Sequence, residues 1–285
     1  MRVGYLGPEG TFTHEAVIGG PAGNGEHELV PLPTIYDTVM AVHAGAVQQA
    51  RVPIENSLEG AVNATLDALA METEDVRILG ELVRPIEHCL IARGPLELGE
   101  IETVVSHPQA SGQCAQFIRT RLPQASVLAG SSTAEAVRTV AEHDGPWAAL
   151  GTRSAARRYG ATVLRAGVED VTDNETRFVW LGRAGTLPGG PGAPASEAGP
   201  WKTAIVFWGV GSEAPGWLVG CLSEFAGREV NLTRIESRPR KQGLGRYMFF
   251  CDLEGRDTES HVSAALDGLA GRVEVLRTLG SFPAA

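Results

Sequence analysis

The chain has 285 residues, 43% of them apolar and 20% charged, with a formal net charge of -10. That length and composition suit a globular protein with a large core or two. The acidic balance argues against a nucleic-acid binder and against attraction to anionic membranes, so any site for an anion has to be built locally. Cys89, Cys114, Cys221 and Cys251 lie far apart, with no Cys-x-x-Cys. They read as buried free thiols in a reducing compartment, not as disulfides or a zinc site. The N-terminus, Met1-Arg2-Val3-Gly4-Tyr5-Leu6, lacks a signal peptide's apolar stretch, and no apolar run approaches the length of a membrane span. A cytoplasmic protein is expected.

In chain order, residues 2–6 read as a strand, followed by a Gly7 turn and a helix starting near Thr11 or Thr13. Residues 52–54 read as a strand, then a polar corner and a helix carrying Val62, Thr65, Leu66 and Leu69. A strand over 101–105 leads into Ser106 and a helix carrying Ala110, Cys114, Phe117 and Ile118. Residues 126–129 lead into Ser132 and a helix carrying Ala136, Val137 and Val140, and 147–150 lead into Thr152 and a short helix that stops at Gly160. Ser106 with Gln109, and Ser132 with Glu135, have the spacing of capping boxes. Alternating strands and helices indicate an α/β fold. Each strand ends in a Ser, Thr or Gly corner at a helix N-terminus, where free N–H groups favour anions. Taken singly, Ser106, Ser132 and Thr152 read as plain N-caps; a ligand role requires that such corners converge.

Residues 184–200 are rich in Gly, Pro and Ala and read as a linker between about 183 residues and about 85. The second part reads as strands over 202–208, 230–236, 246–253 and 273–279, with helices over 217–226 and 259–269. That order is the ferredoxin-like βαββαβ pattern.

Other chemistries find no support. Gly4, Gly7 and Gly10 do not match the dinucleotide spacing and suit a tight strand-to-helix turn; there is no Walker lysine and no Gly-x-Ser-x-Gly. His107, before Pro108, reads as a structural hydrogen-bonder, and Glu72, Glu74 and Asp75 as a solvated helix end.

The stretch Asn174-Glu175-Thr176-Arg177-Phe178 places a hydroxyl beside a fixed cation and an aromatic ring. With it come Gly7-Pro8-Glu9-Gly10-Thr11-Phe12-Thr13, Pro53-Ile54-Glu55-Asn56-Ser57 with Gly60, Ser106-His107-Pro108-Gln109 with Gln113-Cys114, Ser131-Ser132-Thr133-Ala134 and Glu236-Ser237-Arg238-Pro239. In this order the chain resembles the prephenate dehydratase family with its C-terminal ACT domain, from Val3 to about Pro283. The resemblance implies a two-lobed, periplasmic-binding-protein-like catalytic domain over 1–183, with lobe one about 1–77 plus 161–183 and lobe two about 78–160. A linker over 184–201 and an ACT domain over 202–285 would follow. A fused chorismate mutase ahead of the catalytic domain is not expected.

The implied activity is conversion of prephenate to phenylpyruvate, driven by aromatisation, with no cofactor or metal, in phenylalanine biosynthesis. Catalytic positions implied by the family motifs are Thr176, Asn56, Ser106 and Gln113; Ser106 and Gln113, seven apart, are expected to point the same way from one helix. Arg177 would clamp a carboxylate, with Phe178, Thr11, Phe12, Ser57, His107, Ser132 and Thr133 lining the pocket. Glu55 beside a dianion is costly unless protonated or paired.

Pro215, Gly216, Trp217 and Leu218, with Asn231, Leu232, Glu236, Ser237, Arg238 and Pro239, resemble the family's phenylalanine site. Trp217 stands where many relatives have a small residue, so altered inhibition is expected. ACT pairing implies a homodimer or homotetramer. Competing readings are arogenate dehydratase, a non-aromatising decarboxylase on the same fold, and a non-catalytic amino-acid sensor, which would need no hydroxyl at position 176.

Overall fold

In the computed structural model of the chain, residues 1–19, 27–188, 190, 199–209, 211 and 214–285 are described. Most of the expected linker (189 and 191–198) lies outside them. The first half contributes β1 (Arg2–Leu6), α1 (Phe12–Ile18), β2 (Glu28–Leu32), α2 (Ile35–His43), β3 (Gln49–Asn56), β4 (Gly60–Ala61), α3 (Asn63–Asp67) and β5 (Val76–Pro85). A π-helical turn, Ala68–Glu72, closes α3. There follow β6 (Cys89–Ala92), β7 (Thr103–Ser106), α4 (Pro108–Gln113), α5 (Ala115–Arg121), β8 (Ser126–Ala129), α6 (Thr133–Glu142), β9 (Trp147–Gly151), α7 (Arg153–Tyr159), β10 (Thr162–Ala166) and β11 (Glu175–Arg183).

These strands form two sheets. The first is six-stranded, in the order β2-β1-β3-β11-β5, with β4 beside β3; the second is five-stranded, in the order β10-β6-β9-β7-β8. Three neighbouring strands of the second sheet, β6, β9 and β7, are apolar and almost wholly buried, as strands covered on both faces must be. The chain leaves the first sheet after Pro85 and not near Arg77, because β5 pairs with β11 as far as Pro85. It returns only after Ala166 and not near Ala161, because β10 pairs with β6. Sheet pairing, which overrides local composition, moves both expected lobe boundaries.

Two local expectations also change. The helix at 108–118 breaks at Cys114 (φ -116°, ψ 18°), giving α4 and α5. The cap of α4 is His107, whose Nδ1 accepts from the Gln109 N–H, so Ser106 and Gln109 make no capping box. Ser132 does cap α6 by accepting from the Glu135 N–H, while the Glu135 carboxylate bonds Arg138 instead of reaching back.

The last part contributes β12 (Trp201–Trp208), α8 (Trp217–Ala226), β13 (Leu232–Pro239), β14 (Tyr247–Glu254), α9 (Ser260–Ala270) and β15 (Val275–Pro283), with the expected alternation of strands and helices. They form an antiparallel sheet in the order β13-β14-β12-β15. One of its faces packs on α8 and α9 through Ile205, Phe207, Cys221, Phe225 and Leu269. The other joins the first sheet in a single core, where Val206, Phe250, Leu279 and Phe282 meet Val52, Ile54, Val179 and Leu181. All four cysteines are buried free thiols, and among the described residues no helix is long and apolar enough to cross a membrane.

β15 crosses β5 at backbone distance. A Cβ on Gly280 would lie 2.1 Å from the carbonyl oxygen of Ile78, a rigid atom that cannot yield as a side-chain tip would. Gly280→Ala should therefore destabilise by about 1–3 kcal/mol, the usual cost of overpacking. A thermal melt unchanged from the parent chain would show that the two strands separate freely there.

Candidate active site

β3 and β11 run antiparallel, with Thr176 opposite Asn56 and Arg177 opposite Glu55. Side chains alternate along a strand. Thr176, Phe178 and Asn56 therefore look into a cavity of about 280 Å³ between the two sheets, while Arg177 looks away from it. The first sheet's side also supplies Leu6, Thr11, Phe12, Thr13, Ile35, Pro53 and Val62; the second supplies His107, Gln109, Ala110, Gln113 and Thr133. Ile86 and His88 come from the crossing between the sheets.

Three helix starts converge here. Thr11, the N-cap of α1, accepts from the His14 N–H at 3.2 Å and donates to the Leu6 carbonyl at 3.1 Å. His107 caps α4, and Thr133 opens α6. The residues lining the cavity include no Lys, Arg, Asp or Glu, so its favourable field for an anion comes from helix N-termini and neutral donors. The corner at Thr152 does not join them: its hydroxyl donates to the Gly10 carbonyl at 2.7 Å and caps α7.

Asn56 organises the polar wall. Its Oδ1 accepts from the backbone N–H groups of Leu58 (3.0 Å) and Glu59 (3.1 Å), which leaves Nδ2 facing β11. The two Nδ2 hydrogens reach three acceptors, one of them shared: Thr176 Oγ1 at 2.9 Å, Asn174 Oδ1 at 2.7 Å and the Glu175 carbonyl at 3.1 Å. Thr176 Oγ1 thus serves as an acceptor toward Asn56, and its own hydrogen has no acceptor among the described residues. The chain of bonds continues from Asn174 Nδ2 to Gln113 Oε1 at 3.1 Å. Gln113 is oriented by donating from Nε2 to Glu59 Oε1 at 3.2 Å.

His88 Nε2 lies 2.9 Å from the same Gln113 Oε1. An oxygen there can only accept, so Nε2 carries the proton and Nδ1, buried and without a partner among the described residues, holds a bare lone pair. Burial pushes the His88 pKa below its ordinary 6.5, outweighing the Gln113 bond and the nearby Glu169, which act the other way. The ring is neutral at neutral pH.

Several expected site residues stand elsewhere. Ser106 is fully buried, at the end of β7 and not on the helix with Gln113; its hydroxyl donates to the Leu150 carbonyl at 2.9 Å and stitches β7 to β9. Ser57 is exposed and accepts from the Glu175 N–H at 2.9 Å, outside the lining. Ser132 is committed to its cap. Arg177 cannot clamp a substrate carboxylate, because protein carboxylates already hold it: Asp252 at 2.6 Å, Glu81 at 3.0 Å and Glu55 at 3.1 Å. Burial pulls its pKa down, but Asp252, Glu81 and Glu55 together raise it, so it stays charged. Glu55 is the paired carboxylate that its position demanded.

Of the expected effector residues, Gly216 caps α8 at φ 81°, and Trp217 opens that helix, with its ring 6.0 Å from Phe249. Ser237 pairs with Phe249 across the strands, and Asn231 and Leu232 lie at the start of β13. Arg238 turns away, because β13 alternates. Its guanidinium binds both oxygens of Asp67, the last residue of α3, at 3.0 to 3.2 Å. Residues 210 and 212–213, beside this turn, lie outside the described ones.

His88 and Ile86 of the cavity belong to no motif of the sequence, and Asn174 and Gln109 stand inside motifs but had no expected role there. His88 stands immediately before the buried apolar run of β6, the one signal available.

A mixed α/β protein with a small-molecule cavity between two sheets has many possible chemistries. Comparisons with known proteins narrow them. A family model described as prephenate dehydratase matches residues 3–186. The prephenate dehydratase of Mycobacteroides abscessus is 39% identical over 288 residues, covering 99% of this chain and 90% of its own. The solved structure of the prephenate dehydratase from Arthrobacter aurescens in complex with L-Phe has 38% identity and a TM-score of 0.86, covering 99% of this chain and 90% of that one. A structure reported as a quorum-quenching acylase, GqqA, shares the fold at 27% identity and a TM-score of 0.83, covering 100% of this chain and 98% of that one. The chain belongs to the prephenate dehydratase family.

Imidazole ¹⁵N NMR should show His88 as the neutral Nε2–H tautomer, less protonated at pH 6.5 than an exposed histidine, which is about half protonated there. The sign follows from its lowered pKa. The unfolded chain takes up the proton first, so stability holds above the ordinary value and declines as pH falls through the folded one. A ring half charged at pH 6.5 would contradict the assignment.

Proposed function

We propose that the cavity binds prephenate and catalyses its decarboxylation and dehydration to phenylpyruvate, a carbon–oxygen lyase reaction. The observation that carries this reading is the Thr176 hydroxyl, held from behind by Asn56 with its hydrogen free for the cavity. Leaving hydroxide is the difficult part of the reaction, and a fixed donor aimed at the departing oxygen lowers its cost.

The bond between the ring and its carboxylate breaks and releases carbon dioxide. The electron pair moves through the ring and expels the hydroxyl group opposite, which takes one proton and leaves as water. The ring becomes aromatic, which drives the reaction. Thr176 donates a hydrogen bond to the departing oxygen and can relay the proton, since a threonine hydroxyl does not ionise near neutral pH. The two substrate carboxylates are assigned to the N-termini of α1, α4 and α6, in the absence of a lining cation. Phe12 and Phe178 keep water from the ring, and Gln113 holds the wall through Asn174 and His88.

Residues 1–183 are read as the catalytic domain, its two sheets as the lobes of a binding-protein-like cleft. Residues 202–285 are read as an ACT domain, supported by the strand and helix order of the last sheet. Phenylalanine, which the Arthrobacter aurescens structure holds, is the expected effector of this chain, near Trp217 and Ser237. Arg238 is left out of that site. A homodimer or homotetramer in the cytoplasm completes the reading.

Purified protein incubated with prephenate should yield phenylpyruvate, followed by its ultraviolet absorbance in alkali. Thr176→Ala should lower kcat by ~10²–10⁴-fold with little change in KM; near-parental turnover would remove Thr176 from the mechanism. In Asn56→Asp the side chain becomes an acceptor that captures the Thr176 hydrogen, so kcat should fall roughly 10²–10³-fold, with a parental rate arguing against that hydrogen's role. Conversion of arogenate but not prephenate would reassign the substrate.

A further inference from the structure

The same two strands that present Asn56 and Thr176 to the cavity present their neighbours, Glu55 and Arg177, to the C-terminal sheet. Asp252 of β14 lies 2.6 Å from Arg177, and Arg234 of β13 lies 3.7 Å from Glu55. Glu81 of β5 binds Arg177 at 3.0 Å and Lys202 of β12 at 2.8 Å. The cluster balances Arg177, Arg234 and Lys202 against Glu55, Glu81 and Asp252. Its centre is dry: side-chain exposure is 10% for Arg177, 4% for Asp252, 0% for Glu81 and 8% for Arg234.

A buried charge that loses a partner does not stay in place; it moves toward water or admits it. Arg177 and Glu55 are anchored in β11 and β3, so water drawn to an unpaired guanidinium there loosens the pairing of those two strands. The adjoining residues on those strands are Thr176 and Asn56. Neither Asp252 nor Arg234 touches the cavity, and neither belonged to any motif of the sequence.

We infer that this ion cluster holds Thr176 in its donating position, making Asp252 and Arg234 positioning residues through which the C-terminal sheet, and any effector bound to it, acts on the reaction. The inference rests on the reading of Thr176 as the hydroxyl donor. An independent tie of the same kind, Arg238 to Asp67, joins β13 to α3, whose N-cap Val62 lines the cavity.

The test uses the full chain with Asp252→Asn and, as the rescue, Asp252→Glu. Hydrogen–deuterium exchange is read over 174–178 and 53–57, with 147–151 of the second sheet as control. In Asp252→Asn, exchange should rise on the order of tenfold in the first two segments and not in the control. Turnover of prephenate should fall roughly 10–100-fold, with KM within about twofold, the mark of a misplaced group and not of lost binding. Asp252→Glu should restore both.

Parental exchange over 174–178, or a rise shared equally by the control segment, would overturn the inference. So would parental kcat in Asp252→Asn. Should that variant not fold, Arg234→Gln, whose partner Glu55 is partly solvated, carries the same expectations. A parent chain inactive on prephenate, with exchange changing as expected, would overturn the substrate reading and leave the hold on Thr176 standing.

Discussion

Everything at the cavity depends on the antiparallel pairing of β3 with β11. Alternation along β11, with an irregularity in β3 at Ile54, gives the pair two faces with opposite chemistry. One face is neutral and donor-rich, with Thr176 and Asn56 in register. The other is ionic and dry, with Arg177 and Glu55 held by the last sheet. A slip of one residue would exchange them, placing a guanidinium in the cavity and a threonine among buried carboxylates, which no local adjustment could repair. Register is thus a condition for the chemistry as well as for folding.

The cavity also illustrates how an acidic chain can host an anion. No Lys, Arg, Asp or Glu lines it. Helix starts supply partial positive charge without a mobile side chain, and the hydrogen-bonded amides of Asn56, Asn174 and Gln113 supply direction. Such donors are fixed before the ligand arrives, so little reorganisation accompanies charge development. The neutral His88 fits this scheme, since burial of a protonated ring behind Gln113 would cost more than the nearby Glu169 returns.

Much of this was legible in the sequence, because strand-corner-helix punctuation is local. Thr11, Ser132, Thr152 and Gly160 mark real helix ends, and the order of elements after Trp201 follows from periodicity alone. The motif around Thr176 located the cavity. What the sequence hid is long-range. Arg177 looked like a carboxylate clamp because the carboxylates it serves, Glu81 and Asp252, lie 96 and 75 positions away along the chain and belong to no motif with it. Ser106 looked catalytic because its bond to Leu150 depends on which strands are neighbours. Lobe boundaries failed for the same reason, since sheet membership of β5 and β10 is a pairing property. His88 gave no signal beyond its place before an apolar run.

The core shared between the first and last sheets has a consequence for how the chain can be divided. Composition marks residues 184–200 as the natural place to cut. Yet Val52, Ile54, Val179 and Leu181 lie against Val206, Phe250, Leu279 and Phe282 in one cluster. Severing the halves would leave each with an uncovered greasy plate, the kind of surface that drives proteins out of solution. A glycine-rich tether therefore joins two parts that are separable in sequence and inseparable in water: neither half is a module that could be lost, borrowed or expressed without a substitute cover.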